Sequence, residues 1–102
     1  MNRVAAALAA CLALTLAAPA SAEEAKDLFK QKCAACHGPD GKGQTSMGKR
    51  LGAKDLTQDK DGLAEIVKRI EEGKPPKMLP YKGKLSPEQI QSLAAYVKGG
   101  LK

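Results

Sequence analysis

The sequence has no tryptophan, one phenylalanine and two tyrosines in 102 residues. A chain of this size buries little apolar surface. With so few rings, something other than its own side chains has to fill part of the core: a disulfide, a metal or a cofactor. Histidine is scarcer still. His37 stands alone, so any site needing two imidazoles from one chain is excluded. The three cysteines, Cys11, Cys33 and Cys36, are too few for a multi-disulfide scaffold. No stretch shows strand-like alternation, and there are no repeats or long linkers. The fold class is all-α. The net charge is +6, yet no aromatic residues interleave the basic ones, which argues against nucleic acid as a partner.

The chain begins with a basic Met1-Asn2-Arg3, an apolar stretch from Val4 to Ala18 broken only by Thr15, and Ala20-Ser21-Ala22 before the first acid, Glu23. That order reads as a secretory signal peptide over residues 1–22, cleaved after Ala22. The apolar stretch is shorter than the roughly 20 residues of a spanning helix, and no transmembrane segment is expected in the mature chain. A second route is lipid anchoring through Cys11, because Leu8-Ala9-Ala10-Cys11 resembles a lipobox. The expected mature domain is Glu23 to Lys102, periplasmic and monomeric. Its 80 residues have lost one base, Arg3, and no acid, which leaves a net charge of +5.

Three main helices are expected. The first runs from about Glu24 to Cys36, with Ala25, Leu28, Phe29, Lys32 and Cys33 on one face. Five glycines between Gly38 and Asp61 predict a loop, with a short helical turn near Lys49 to Leu51. The second helix spans about Asp61 to Glu72, with Leu63, Ile66, Val67 and Ile70 as its stripe and Gly73 as its stop. The third starts at Ser86, with Pro87 in the first position, Gln89 closing a capping box and a Leu85–Ile90 staple. Ile90, Leu93, Ala94 and Val97 form its apolar face. Gly99-Gly100 ends it, and Lys98 complements the dipole.

The densest cluster of chemistry is Cys33-Ala34-Ala35-Cys36-His37. Two thiols three residues apart on a helical turn point the same way and can add across the two vinyl groups of a haem. An imidazole directly after the second thiol reaches the iron from the same side. The C-x-x-C-H spacing is the attachment signature of haem c. Other uses of these residues fit less well. A thioredoxin-like dithiol belongs beside a βαβ pattern, which is absent. Structural zinc wants four ligands.

The chain from Glu23 resembles a class I cytochrome c of the small bacterial monohaem type. The resemblance rests on this motif, on Ala25-x-x-x-Phe29-x-x-x-Cys33, on Met78 between prolines, and on Leu93-Ala94-Ala95-Tyr96-Val97. It implies three main helices and irregular loops wrapped around one covalently attached haem c, with the first helix crossing the last. It also implies thioether links at Cys33 and Cys36 and axial ligands His37 and Met78. His37 is expected to donate its Nδ1 proton to a backbone carbonyl. The family often takes that carbonyl from a proline, and the region from Gly43 to Lys49 has none.

Met47 and Met78 are the two thioethers of the mature chain. Met78 sits among Pro75, Pro76 and Pro80, which restrict its loop; Met47 lies in the glycine-rich stretch and suits a gap-filling role. With both axial positions filled, the implied function is one-electron transfer between redox partners, not catalysis. Lys74, Lys77, Lys82 and Lys84 occur between Gly73 and Leu85 without an acid, a charge pattern suited to acidic docking surfaces. Two rival readings are a haem sensor or peroxidase-like protein with a labile sixth ligand, and a thiol oxidoreductase using Cys33 and Cys36.

Overall fold

The computed structural model describes residues 21–102. The apolar leader and Cys11 lie outside the described residues. Five α-helices are present among the described residues: α1 (Ala22–Lys32), α2 (Ala34–His37), α3 (Ser46–Leu51), α4 (Leu63–Glu72) and α5 (Pro87–Lys98), with a 3-10 turn at Leu56–Gln58. Pairing between strands is limited to two isolated bridges among the described residues, Lys74 with Met78 and Lys82 with Leu85. The all-α expectation stands.

The core is built by α1, α4 and α5. Phe29, Ile66, Ile70, Ile90, Leu93, Ala94 and Val97 form one buried cluster. α1 crosses α5 with the Phe29 and Tyr96 rings 5.6 Å apart and tilted by 57°, a favourable edge-to-face type of contact. Ala25, 1% exposed, is buried on the same helix. Each helix supplies its apolar spacing to one seam, so helical periodicity and tertiary packing agree.

Helix α5 follows its local signals closely. The Ser86 side chain accepts from the Gln89 N–H, and the Gln89 side chain accepts from the Ser86 N–H. Leu85 packs against the cluster that contains Ile90, and Gly99 caps the end. Helix α4 begins at Leu63, two residues later than expected, because Gly62 holds the N-cap position. Leu63 is 41% exposed and therefore leaves the stripe that Ile66 and Ile70 bury.

The first helix differs from expectation in a way that matters. It does not run unbroken to Cys36. Cys33 keeps its bond to the Phe29 carbonyl at 2.9 Å, then turns to φ −118°. The next turn, α2, restarts with His37 N–H donating to the Cys33 carbonyl at 2.9 Å. The apolar spacing continues through this break, so periodicity could not mark it. α3 is also longer than the single turn expected. Thr45 caps its first turn by accepting from the Gly48 N–H, which extends it back to Ser46.

A candidate haem-attachment turn held by two loops

Cys33 sits at the joint between α1 and α2, and Cys36 and His37 lie within α2. Both thiols are half-buried and unbridged. Burial, reinforced by Cys36, pushes the Cys33 thiol up to about 11. Among the described residues no group of three or more His, Cys, Asp and Glu is placed to hold a metal ion, so a structural zinc site finds no ligand set there.

The carbonyl that meets His37 is that of Lys54. His37 Nδ1 lies 3.0 Å from the Lys54 oxygen. A carbonyl only accepts, so Nδ1 carries a proton, and in the neutral imidazole Nε2 then keeps its lone pair free. That tautomer is the one an iron ligand needs. Lys54 is 17 residues from His37, beyond the stretch from Gly43 to Lys49 where the carbonyl was expected. A backbone carbonyl carries no side-chain signature, and nothing local announced it.

Two further residues hold the turn and were not singled out from the sequence. Thr45 Oγ1 donates toward the Ala35 carbonyl at 2.7 Å and the Cys36 carbonyl at 3.0 Å. Those oxygens end α2 without partners of their own inside the helix, so Thr45 both caps α3 and closes α2. Gly48 makes this possible. A Cβ at position 48 would collide with the Cys36 carbonyl oxygen, so only glycine lets α3 approach α2 this closely.

Met78 is half-buried in a closed loop after α4. Lys74 N–H donates to the Met78 carbonyl at 2.8 Å, and Met78 N–H donates back to the Lys74 carbonyl at 3.0 Å. Gly73, with φ +61°, turns the chain into this loop. A Cβ there would lie 2.6 Å from the Met78 and Leu79 oxygens. Tyr81 ties the far side of the loop to the thiol-bearing turn. Its N–H donates to the Ile70 carbonyl at 3.0 Å, and its hydroxyl donates to the Lys32 carbonyl at 3.1 Å. Lys32 immediately precedes Cys33, so one tyrosine links the methionine loop to the thiol-bearing turn. Burial, with Cys33 and Cys36 adding to it, raises the Tyr81 hydroxyl above its usual pKa, and it stays a donor. Met47 is 41% exposed, and its sulfur accepts from Arg50 at 3.3 Å. Its thioether is engaged on its own helix.

The donor chemistry fits haem c: two unbridged thiols on one turn, one imidazole with Nε2 free, and a half-buried thioether in a loop fastened to that turn. Comparison with known proteins agrees. Residues 20–97 match the family model described as cytochrome c oxidase, cbb3-type, subunit III. Cytochrome c6 of Leptolyngbya boryana is 44% identical over 69% of this chain and 81% of its own length. The cbb3-type oxidase subunit FixP of Bradyrhizobium diazoefficiens is 36% identical, but the chain covers only 26% of it. The solved KustC0563 c-type cytochrome superposes with a TM-score of 0.69 at 36% identity, covering 76% of this chain and 98% of that one. The chain therefore belongs to the cytochrome c family, as a small class I monohaem member that attaches haem c covalently and carries electrons.

Proposed function

We propose that this cytochrome is a soluble, exported one-electron shuttle working in the periplasm, with thioether links at Cys33 and Cys36 and with His37 and Met78 as axial ligands. The observation that carries the reading is the His37–Lys54 hydrogen bond, which presents Nε2 as the free nitrogen. When bound, haem c supplies an iron that changes oxidation state by one electron, and His/Met ligation raises its potential relative to His/His. The protein's part is to hold ligands still. Lys54 fixes the imidazole, Thr45 and Gly48 fix the turn that bears it, and Tyr81 and Gly73 fix the loop of Met78. A site held from several sides changes little in geometry between oxidised and reduced states, which keeps the reorganisation accompanying electron transfer small.

Docking is assigned to the Met78 loop. Lys74, Lys77, Lys82 and Lys84 are all exposed there, and Leu79 is 56% exposed among them. An apolar tip within a ring of positive charge suits a transient partner with an acidic rim, whose encounter rate falls as salt rises. No helix of the described residues is long and apolar enough to cross a membrane.

The test is expression in a host that attaches c-type haem, with the leader intact. The expected product starts at Glu23, retains haem through acidified-acetone extraction, titrates reversibly as a single-electron couple and does not bind carbon monoxide. Rapid carbon monoxide binding would instead favour the sensor or peroxidase-like reading, and a colourless dithiol protein would favour the oxidoreductase.

A further inference from the structure

His37 is oriented by a backbone carbonyl, and a carbonyl is only as fixed as the chain that carries it. Lys54 lies between α3 and α4, where the one regular element is the 3-10 turn at Leu56–Gln58. Two backbone bonds hold this segment from one side: Ala53 N–H to the Gly48 carbonyl at 2.8 Å and Leu56 N–H to the Gly41 carbonyl at 2.7 Å. A charged cluster holds it from the other. The Asp59 side chain is 2% exposed. One of its oxygens accepts from Arg69 of α4 at 2.7 Å. The other accepts from the Asp61 N–H at 3.0 Å and faces Lys54 Nζ at 3.5 Å. Arg69 also lies 2.9 Å from an Asp61 oxygen, and Lys54 Nζ lies 3.8 Å from the same carboxyl. Lys98 of α5 closes the cluster by donating to the Asp61 carbonyl at 2.9 Å. Lys54 thus has its side chain in the cluster and its carbonyl on the imidazole.

Most exposed ion pairs contribute little, and the half-exposed Lys54 alone would be a weak tie. Asp59 is different. Its carboxylate is almost fully covered by neighbouring groups, and its partners converge from α4 and from its own loop. Burial pushes its carboxyl up, but the Asp61 N–H, Arg69 and Lys54 outweigh that and hold it below the usual carboxylate value. Arg69 Nε is buried without a hydrogen-bond partner among the described residues, so the guanidinium is held at its Nη2 end by the two aspartates.

We infer that Asp59 is a positioning residue for His37: through Arg69 and Lys54 it clamps the loop whose Lys54 carbonyl accepts the imidazole proton, and so sets the hydrogen bond behind the axial ligand. The inference rests on the reading of His37 as an iron ligand. A clamp made from a lysine and an aspartate with a covered carboxylate performs here what a proline's fixed φ performs elsewhere: it limits the motion of one carbonyl.

The test uses the ferrous holoprotein and follows solvent exchange of the His37 Nδ1 proton by NMR beside the Leu93 amide, a reporter of global opening. Asp59→Asn keeps the side chain's shape and an acceptor for Asp61 N–H but removes the charge that holds Arg69 and Lys54. It is expected to speed Nδ1 exchange about tenfold relative to Leu93, as local opening does. The midpoint potential is expected to rise with it. Asp27→Asn, the same charge change on exposed α1, is expected to leave the exchange ratio alone. Lys54→Ala, which keeps the carbonyl, is expected to give about a threefold increase, and it decides the matter alone if Asp59→Asn fails to load haem. Parent-like exchange in both clamp variants overturns the inference, as does equal acceleration of Nδ1 and Leu93, which would make Asp59 a global stabiliser only. Parent His37 ring protons without ring-current shifts would mean that the ligand assignment has failed, and the inference with it. Shifted protons with insensitive exchange would remove the clamp alone.

Discussion

Replacing Tyr81 with Phe removes one oxygen atom and one hydrogen bond, that to the Lys32 carbonyl at 3.1 Å. The ring, the half-buried position and the Tyr81 N–H bond to Ile70 remain. Lys32 is the last residue of α1, where the turn at Cys33 ends the helix, and its carbonyl loses this partner. The site is partly open, so water can replace the hydroxyl, and the cost is set at about 1 kcal/mol, the usual net worth of one such bond. In a domain of this size that lowers Tm by roughly 4–8 °C. It also implies roughly fivefold more frequent opening of the loop that carries Met78. The assay is competition by added imidazole for the sixth iron position of the ferric protein, read as displacement rate against concentration, beside a thermal melt. Faster displacement with a lower Tm supports the tie between the loop and the attachment turn. A Tyr81→Phe variant with parent Tm and parent displacement rate would refute the reasoning that this hydroxyl joins them.

Other perturbations test other joints. Gly48→Ala forces a methyl against the Cys36 carbonyl oxygen; the expected cost is about 1–3 kcal/mol, as for overpacking, and it should appear as a lower yield of covalent haem in pigment-to-protein ratios. Leu93 is 1% exposed where α5 meets the other core helices, so Leu93→Ala should lose about 2–5 kcal/mol in denaturant unfolding with the thioether links intact. Asp59 has its folded pKa below the ordinary value, so its contribution is present above the unfolded pKa and is lost as pH falls through the folded one. Asp59→Asn should therefore flatten the acid limb of the stability curve, seen by comparing urea midpoints at neutral pH and near pH 3, roughly below the ordinary carboxylate value. Equal slopes for parent and variant would contradict that assignment.

What could be read in the sequence was what local chemistry encodes. Ser86, Pro87 and Gln89 act within one turn of each other, so the start of α5 was legible before any fold was known. The C-x-x-C-H motif was legible for the same reason, since its meaning lies in spacing along one turn. The break at Cys33 was not, because the apolar pattern of α1 runs through it and only backbone dihedrals record it. Lys54 as the partner of His37 was hidden because its carbonyl is identical to every other and its distance in sequence is set by how α3 folds back. Gly48 looked like one loop glycine among several; its role comes from the Cys36 carbonyl that α3 meets in space. Asp59 and Arg69 stand 10 residues apart, and no local spacing rule pairs them; the loop brings them together. Thr45 could have been found, since a threonine three residues before Gly48 and just ahead of a short helical turn is a plausible helix cap.

Met78 as the sulfur opposite His37 is the central assignment, and the far-red absorption of the oxidised holoprotein tests it most directly. The expected result is a thioether-to-ferric band in the parent, its loss in Met78→Ala, and its retention in Met47→Ala, because the Met47 sulfur is engaged with Arg50. A band that survives Met78→Ala, or a high-spin parent spectrum without it, would contradict the assignment of the axial pair.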